Sequence, residues 1–432
     1  MAAIARAEVS TARALLFAVP VLIILAVLPR VVDPYQTVLV TYGLVMAIAA
    51  LGFNLLLGYT GLLSFGHSAY FGAGAYTVAF IVRDLGTQSL ELCILGGVLG
   101  TVLVAALFGF VCVRHTRIFF GILTLALSQV LWSLAYKFFW VTGGTDGIRV
   151  AYANLTMIGG LVHFAGPGSY QRFVFAYYYY VLGVFAVATV VMWVIVHSPF
   201  GKALQAIRDN ETRAAFVGIR VRRYRWLAFV ISGAFTGLAG TLWVFLNGLT
   251  TPEVLYWTFS GEIVFMTVLG GFRSFIGPIV GAMAFNYLRT YAIASSEYWQ
   301  LLLGLVLVVM VLVLPTGIVG TLSRADALYR AWRGRANKSD VALASIGLVL
   351  VVVSVLWWSF FYSRVGGIGN ALQCMFYETA PCSLVVATAE FAGYLAYRPF
   401  LMWIGLACFA AGALIPFSRH ASLGQRTNTG TS

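Results

Sequence analysis

Charge is what this 432-residue sequence lacks most, since 9% of its residues are charged and 61% are hydrophobic. A soluble domain carries roughly a quarter of its residues as Asp, Glu, Lys or Arg. A chain of this composition is predicted to lie in a lipid bilayer rather than in water. Its charges are also uneven, with 27 Lys and Arg against 14 Asp and Glu.

Catalytic signatures are missing as well. The sequence contains no Gly-x-x-x-x-Gly-Lys-Ser/Thr phosphate loop, which argues against a nucleotide site on this chain. Paired carboxylates, metal-ligand clusters and an activated nucleophile are not evident, so a membrane-bound enzyme is disfavoured. Carboxylates within the apolar runs are few, Glu262 being the main one, and this disfavours an ion-coupled secondary transporter acting alone.

Cysteine is sparse, with five in the chain and none at metal-ligand spacing, so no metal site is predicted. Cys93, Cys112 and Cys408 lie in or beside apolar runs and are expected to be packing residues. Cys374 and Cys382 flank a short polar stretch in a predicted external loop, where an oxidising compartment would allow a disulfide. Whether these two thiols are joined stays open.

Apolar runs fill the sequence instead, each about long enough for a membrane helix of about 20 residues. They do not alternate in polarity, which excludes a β-barrel. We predict an all-α integral membrane protein, a polytopic helical bundle with about 10 core spans and about two C-terminal spans. The predicted spans are 14–29, 37–57, 63–82, 90–113, 119–138, 172–197, 225–248, 260–293 as two segments, 298–314, 341–361 and 399–417.

Lys and Arg lie in short segments between these runs, so they predict membrane topology rather than nucleic-acid binding. The richest basic loop, 198–225, is placed in the cytoplasm by the positive-inside rule. This assignment places both termini in the cytoplasm of a multi-pass protein of the bacterial inner membrane. Segment 14–29 has no small-residue cleavage site after it, so we expect a retained helix rather than a signal peptide.

The chain changes character near residue 320. Residues 1–320 are predicted to form the main membrane domain, and 321–340 a basic cytoplasmic linker. Residues 341–417 are predicted to form a two-span membrane hairpin, followed by a polar cytoplasmic tail at 418–432. The sequence does not indicate what the hairpin does.

Two apolar segments are interrupted by glycine, at 58–76 and at 270–278. Such interruptions are typical of transporters with discontinuous membrane helices. Tight packing of helices through small residues is the alternative interpretation.

Polar residues in or beside these segments are candidates for lining a translocation pathway, namely Asn54, Ser64, His67, Ser68 and Glu262. An ionisable side chain at membrane depth is costly unless it faces a cavity or a partner. A purely structural His67 and a helix-capping Glu262 remain alternatives. Thr145 and Asp146, in a Gly-Gly-Thr-Asp-Gly turn, either contribute to an external mouth or stabilise that turn.

Loop 198–225 begins with a helix-start signal, Ser198 before Pro199. Its apolar positions predict a short helix, a turn and a second short helix at the membrane surface. A solvated connection is one interpretation. An amphipathic helix that fills a groove on a partner is the other.

This loop resembles the cytoplasmic coupling loop of ABC importer permeases of the branched-chain amino-acid, or LivM, type. The matching segments are Gly201-Lys-Ala-Leu-Gln-Ala-Ile-Arg-Asp-Asn-Glu211 with Ala214 and Gly218, then 228–240, 58–76, 142–148, and 268–271 with Gly277-Pro278. The resemblance covers roughly residues 35–320, within the main membrane domain. It does not extend to the basic linker or the hairpin.

The resemblance implies a permease subunit with no cofactor of its own, which forms the pathway with a second homologous permease. It implies two ATPase subunits that bind ATP and Mg, a periplasmic substrate-binding protein and surrounding lipid, and no nucleic-acid partner. The implied substrates are branched-chain or other amino acids, with urea or short amides as the alternative. The implied ATPase-coupling residues are Gly201, Ala203, Arg208, Asp209, Asn210, Glu211, Ala214 and Gly218.

Overall fold

The computed structural model describes residues 20, 22–86, 89–115, 118–150, 156–157, 162–163, 169–295, 300–301, 303–304, 308 and 316–321. The predicted hairpin, the tail, and Cys374 and Cys382 lie outside these residues, as do almost all of the linker and most of the predicted span 298–314. Every site described below lies in one compact unit, residues 1–289 and 305–320.

Helices make up most of the described chain. In order they are α1 (Leu22–Val31), α2 (Pro34–Asn54), α3 (His67–Leu85), α4 (Leu90–Cys112), α5 (Ile118–Lys137), α6 (Phe139–Thr142), α7 (Ser169–His197), α8 (Pro199–Asp209), α9 (Glu211–Phe216), α10 (Val221–Asn247), α11 (Trp257–Gly270) and α12 (Gly277–Ser295). The segments between helices contain two antiparallel pairs of two-residue strands. Strand β1 (Ile148–Arg149) pairs with β4 (Leu249–Thr250), and β2 (Thr156–Met157) pairs with β3 (Val162–His163).

Within the described residues, five helical segments are long and apolar enough to cross a membrane. They are Pro34–Thr60, Leu90–Cys112, Ile118–Lys137, Tyr170–His197 and Val221–Asn247. The prediction of a helical, multi-pass membrane protein is therefore confirmed, with the short strand pairs as a small addition.

Helix α10 packs against α2, α3 and α4. Small residues allow this close approach: a Cβ added at Gly74 of α3 would collide with the Gly237 carbonyl of α10. A Cβ added at Gly240 would likewise collide with the Phe71 carbonyl. The two backbones touch, so the packing interpretation holds for this part of the first glycine-rich segment.

A true helix break precedes this packed region. Helix α2 continues as a π-helix over Leu55–Thr60 and stops at Gly61, whose φ of +72° is readily adopted only by glycine. Residues 61–66 are not helical, and α3 starts only at His67. The predicted span 63–82 therefore begins too early, because hydropathy counts apolar side chains regardless of backbone conformation.

Polar side chains satisfy the backbone groups that this break sets free. The N–H of Phe65 donates to Thr124 Oγ1 over 3.2 Å, and the N–H of Gly66 donates to Ser64 Oγ over 3.3 Å. Non-helical backbone at membrane depth is tolerated only where protein or a cavity supplies such partners. The first glycine-broken segment thus combines a discontinuous helix with close packing.

The second break separates α11 from α12 at residues 271–276. Gly271 has a φ of +106°, and a Cβ at Gly270 would collide with the Gly277 carbonyl. Ser274 closes the turn by donating to Gly271 O over 3.0 Å and accepting from Gly277 N over 3.1 Å. The prediction that 260–293 forms two segments is confirmed.

Candidate functional site

Helices α8 and α9 form where the sequence signals them. Ser198 caps α8 by accepting from the Gly201 N–H over 3.5 Å, and Pro199 occupies the first turn. Asn210 caps α9 in the same way, accepting from the Arg213 N–H over 2.9 Å. The predicted helix, turn and second helix are confirmed.

The apolar face of α8 anchors it to the membrane helices. Leu204 and Ile207 are buried, and Leu204 belongs to a core cluster that includes Leu55 and Phe229. Gly201 lies so close to the end of α7 that a Cβ there would collide with the Val196 carbonyl. Helix α8 is therefore packed against the bundle rather than free in solvent.

The remaining predicted coupling residues shape this loop in different ways. Ala203 is half-buried on α8, and Ala214 is the buried residue of α9. Gly218 has a φ of +90° and ends α9, where the N–H of Ile219 returns to the Ala214 carbonyl over 3.1 Å. These positions serve the local fold of the loop.

Arg208 links α8 to the first helix break. Its Nη1 donates to the carbonyl oxygen of Gly58, in the π-helix, and its side chain passes beside Gly61. It also forms an exposed ion pair with its neighbour Asp209 at 3.3 Å. Of the predicted coupling residues, Arg208 is the one that reaches a membrane-depth break directly.

Glu211 makes a second link, to the start of α10. Both of its carboxylate oxygens accept from Arg225, each over 2.8 Å. The Arg225 side chain is 8% exposed, and that of Glu211 is 48% exposed. A bidentate pair of this kind fixes the angle between the two groups as well as their separation.

His67 lies fully buried at the first position of α3. Its Nε2 is 2.9 Å from Ser232 Oγ on α10, and that hydroxyl donates to the Gly52 carbonyl of α2 over 2.7 Å. Because the Ser232 proton is used there, we assign the His67 proton to Nε2. His67 thereby joins α2, α3 and α10 in one hydrogen-bonded junction.

Ser68 extends this junction to α11. Its N–H donates to Ser260 Oγ over 2.8 Å, and the Ser260 hydroxyl donates back to Ser68 Oγ over 2.8 Å. Asn54 and Ser64 are buried close to the same break. The four predicted pathway residues Asn54, Ser64, His67 and Ser68 are thus all buried near the first break in this conformation.

Glu262 lies apart from that junction, in the second turn of α11, and its carboxylate is 3.3 Å from Arg289 Nη1 of α12. The alternative that Glu262 caps its helix is wrong, because α11 begins at Trp257 and no acidic residue lies in its first turn. Glu262 is therefore half of an ion pair that joins α11 to α12.

Thr145 and Asp146 are exposed in a 3-10 turn at Gly144–Asp146. Backbone bonds hold this turn, including Asp146 N–H to Gly143 O over 3.0 Å. The next residues form β1, which pairs with β4 ahead of α11. Their place at an external mouth stays a prediction.

Four partner residues were not predicted as site residues: Arg225, Ser232, Ser260 and Arg289. Arg225 was interpreted only as a topology charge. Nothing in the spacing of the sequence identifies which helix supplies a partner, because 165 residues separate His67 from Ser232 and 192 separate Ser68 from Ser260.

Comparison with known proteins assigns this chain to a family. Residues 37–311 match the model of a family described as the permease component of branched-chain amino acid transport systems. The match covers more than half of the chain, so this protein belongs to that family. Membership indicates a transport subunit rather than a catalyst.

Named relatives agree with the family assignment. The chain is 27% identical over 324 residues to the high-affinity branched-chain amino acid permease protein LivM of Escherichia coli K12, covering 72% of this chain and 76% of the relative. It is 28% identical to LivM of Salmonella typhimurium over the same shares. It is 24% identical to LivH of Salmonella typhimurium over 65% of this chain and 93% of the relative. No solved structure matches.

Proposed function

We propose that this chain is a permease subunit of an ATP-driven importer of branched-chain amino acids in the bacterial inner membrane, with both termini cytoplasmic. It forms the translocation pathway with a second homologous permease and receives substrate from a periplasmic binding protein. Two ATPase subunits hold ATP and Mg and act on α8 and α9. Family membership and the names of the relatives support the substrate class.

The observation that carries the coupling role is the double attachment of α8 and α9 to the membrane helices. Arg208 bonds the π-helix at the first break, and Glu211 is clamped to Arg225 at the start of α10. Seven residues further along α10, Ser232 bonds His67. Both attachments thus lead to the start of α3, so a displacement of α8 and α9 would move this junction.

The far end of α9 offers a surface for the ATPase. Phe216 and Val217 are 87% and 78% exposed. An exposed apolar pair at the end of an amphipathic helix suits a groove on another protein. We therefore assign the ATPase contact to these two side chains and the transmission of movement to Arg208 and Glu211.

Substitution of Arg208 tests the coupling directly. In the assembled transporter, Arg208→Ala is expected to lower uptake at least about fivefold while ATP hydrolysis continues, because coupling energies of 1–3 kcal/mol correspond to such factors. The matched control is Lys202→Ala, an exposed residue on the same helix. Unchanged uptake in Arg208→Ala, or an equal loss of uptake and hydrolysis, would contradict the role.

Uptake of labelled leucine tests the substrate. Cells that contain the gene are compared with cells that lack it, with unlabelled isoleucine, glutamate, urea and short amides as competitors. Loss of uptake, together with competition by isoleucine, is the expected result. Intact leucine uptake beside lost urea or amide uptake would move the substrate to the alternative class.

A further inference from the structure

One face of α11, called the open face here, is left largely uncovered by the residues that the structure describes. Trp257, Thr258, Gly261, Glu262 and Phe265 follow one another at intervals that place them on one side of a helix. Trp257 and Phe265 are among the exposed large hydrophobic residues. A Cβ built at Gly261 meets no atom of the described residues within 4 Å outside its own helix backbone. Within the described part of the chain, no atom therefore fills the space beside Gly261.

The open face of α11 differs from the exposed face of α4. That face carries Leu92, Leu95, Leu99, Leu103, Leu107 and Phe110, which are 58–64% exposed. Hydrocarbon side chains of this kind suit contact with lipid tails. The threonine, glycine and carboxylate on the α11 face are less suited to contact with lipid tails. An ionisable side chain in a membrane span generally faces protein or a water-filled cavity.

Glu262 lies between two contacts that α11 makes with other helices of the bundle. Five residues further along α11, Thr267 Oγ1 is 3.5 Å from the Ala50 carbonyl in the span Pro34–Thr60. On the other side of Glu262, Ser260 bonds Ser68 at the start of α3. The Glu262 carboxylate therefore lies between these two contacts along α11, not at an end of the helix.

The contact between Glu262 and Arg289 is long for an ion pair. One oxygen of Glu262 is 3.3 Å from Arg289 Nη1, and the two side chains are 19% and 35% exposed. A carboxylate can accept from an ammonium group, and a guanidinium group can bind a carboxylate with two parallel hydrogen bonds. A ligand that carries both charges on one carbon atom has a complementary group for each of the two residues.

We infer that Glu262 and Arg289 recognise the zwitterionic head of an amino acid, Glu262 receiving the ammonium group and Arg289 the carboxylate. The space beside Gly261, flanked by Phe265, accommodates an apolar side chain. This inference rests on the proposed function and deepens it, because it assigns the substrate contact to one face of this chain.

Cysteine labelling tests whether the α11 face is aqueous. Gly261→Cys, and Thr258→Cys as a second variant, are made in a chain whose own cysteines are replaced and whose uptake is verified. A hydrophilic methanethiosulfonate reagent is expected to label either thiol at least about tenfold faster than Leu99→Cys on α4, because reactivity follows thiolate formation and exposure. Equal, slow labelling at 258, 261 and 99 would overturn the inference.

Protection by ligands tests the zwitterion. Saturating leucine is expected to slow labelling at Gly261→Cys at least about threefold by mass action. Leucinol, which lacks the carboxylate, and 4-methylpentanoate, which lacks the ammonium group, should not. Protection by leucine should disappear when Glu262→Gln is added. Equal protection by all three compounds, or protection that survives Glu262→Gln, would overturn the inference.

The outcomes separate the two proposals. If the wild-type transporter does not take up leucine, the proposed substrate fails, while labelling still decides whether the α11 face is aqueous. If the wild type takes up leucine but leucine does not protect Gly261→Cys, the zwitterion site fails alone.

Discussion

Two arginine–glutamate pairs in this chain are built in opposite ways. Glu211 and Arg225 share two hydrogen bonds of 2.8 Å, and the arginine is nearly fully enclosed. Glu262 and Arg289 share one contact of 3.3 Å, and both side chains are partly exposed. The first pair holds α9 against α10, and the second spans α11 and α12 beside an open helix face.

This difference in geometry suits two different functions, the transmission of movement and the binding of a charged ligand. A contact that transmits movement between helices must keep its geometry while the helices move. A bidentate and enclosed ion pair keeps its geometry in this way. A site that receives a charged ligand must release its internal partner, which a single long contact permits. The geometry of each pair, rather than its residue types, is therefore the basis on which we propose coupling for the first pair and substrate recognition for the second.

The largest expected effect lies at the enclosed pair. Glu211→Ala should lower the free energy of unfolding by about 2–3 kcal/mol, because it leaves the Arg225 guanidinium buried without its carboxylate. Arg225→Met should cost less than about 1 kcal/mol, because the half-exposed Glu211 can then turn to water. Thermal unfolding of the solubilised transporter measures both. A greater loss in Arg225→Met would show that the arginine is not the enclosed partner.

A smaller effect separates the two arginines. Lysine keeps the positive charge but cannot form two parallel bonds, so Arg225→Lys is expected to cost about 1 kcal/mol of stability. Arg289→Lys should cost less than about half of that, since a single contact can be remade by an ammonium group. Equal losses of stability would mean that the two pairs do not differ in geometry.

Glu262→Gln should change stability less than Arg225→Lys does, by about 0.6 kcal/mol, a typical value for a polar contact between membrane helices. The amide oxygen can still accept from Arg289, so the fold keeps its contact. Leucine uptake should nevertheless fall, because the amide has no charge for the ammonium group. A loss of stability as large as that of Glu211→Ala would make Glu262 a structural residue.

Much of the fold was predictable because the signals are local. Long apolar runs, the Ser198-Pro199 start and glycine clusters each act over a few residues, and they predicted the long helices, α8 and α9, and both breaks. The exact start of α3 was not predictable, because Leu62, Leu63 and Phe65 are apolar whether or not their backbone is helical.

Only one member of each interacting pair in the candidate site was predictable from the sequence. Glu211, His67, Ser68 and Glu262 stood out by type and position. Their partners did not, because tertiary packing chooses among many serines and arginines that look alike in sequence. Asn54 and His67 stay candidates for lining a pathway, and their burial in this conformation is a result of packing that residue type alone does not reveal.

The smallest expected effect is at an exposed pair that resembles neither of the others. Arg208 and Asp209 are sequence neighbours 3.3 Å apart, and the Asp209 side chain is 73% exposed. Asp209→Asn should change stability by less than about 0.3 kcal/mol, because water screens such pairs and Arg208 keeps its bond to Gly58. Uptake should stay unchanged, in contrast to Arg208→Ala. A loss of uptake in Asp209→Asn would mean that the carboxylate itself touches a partner, and the coupling surface would then extend from Phe216 and Val217 back to the end of α8.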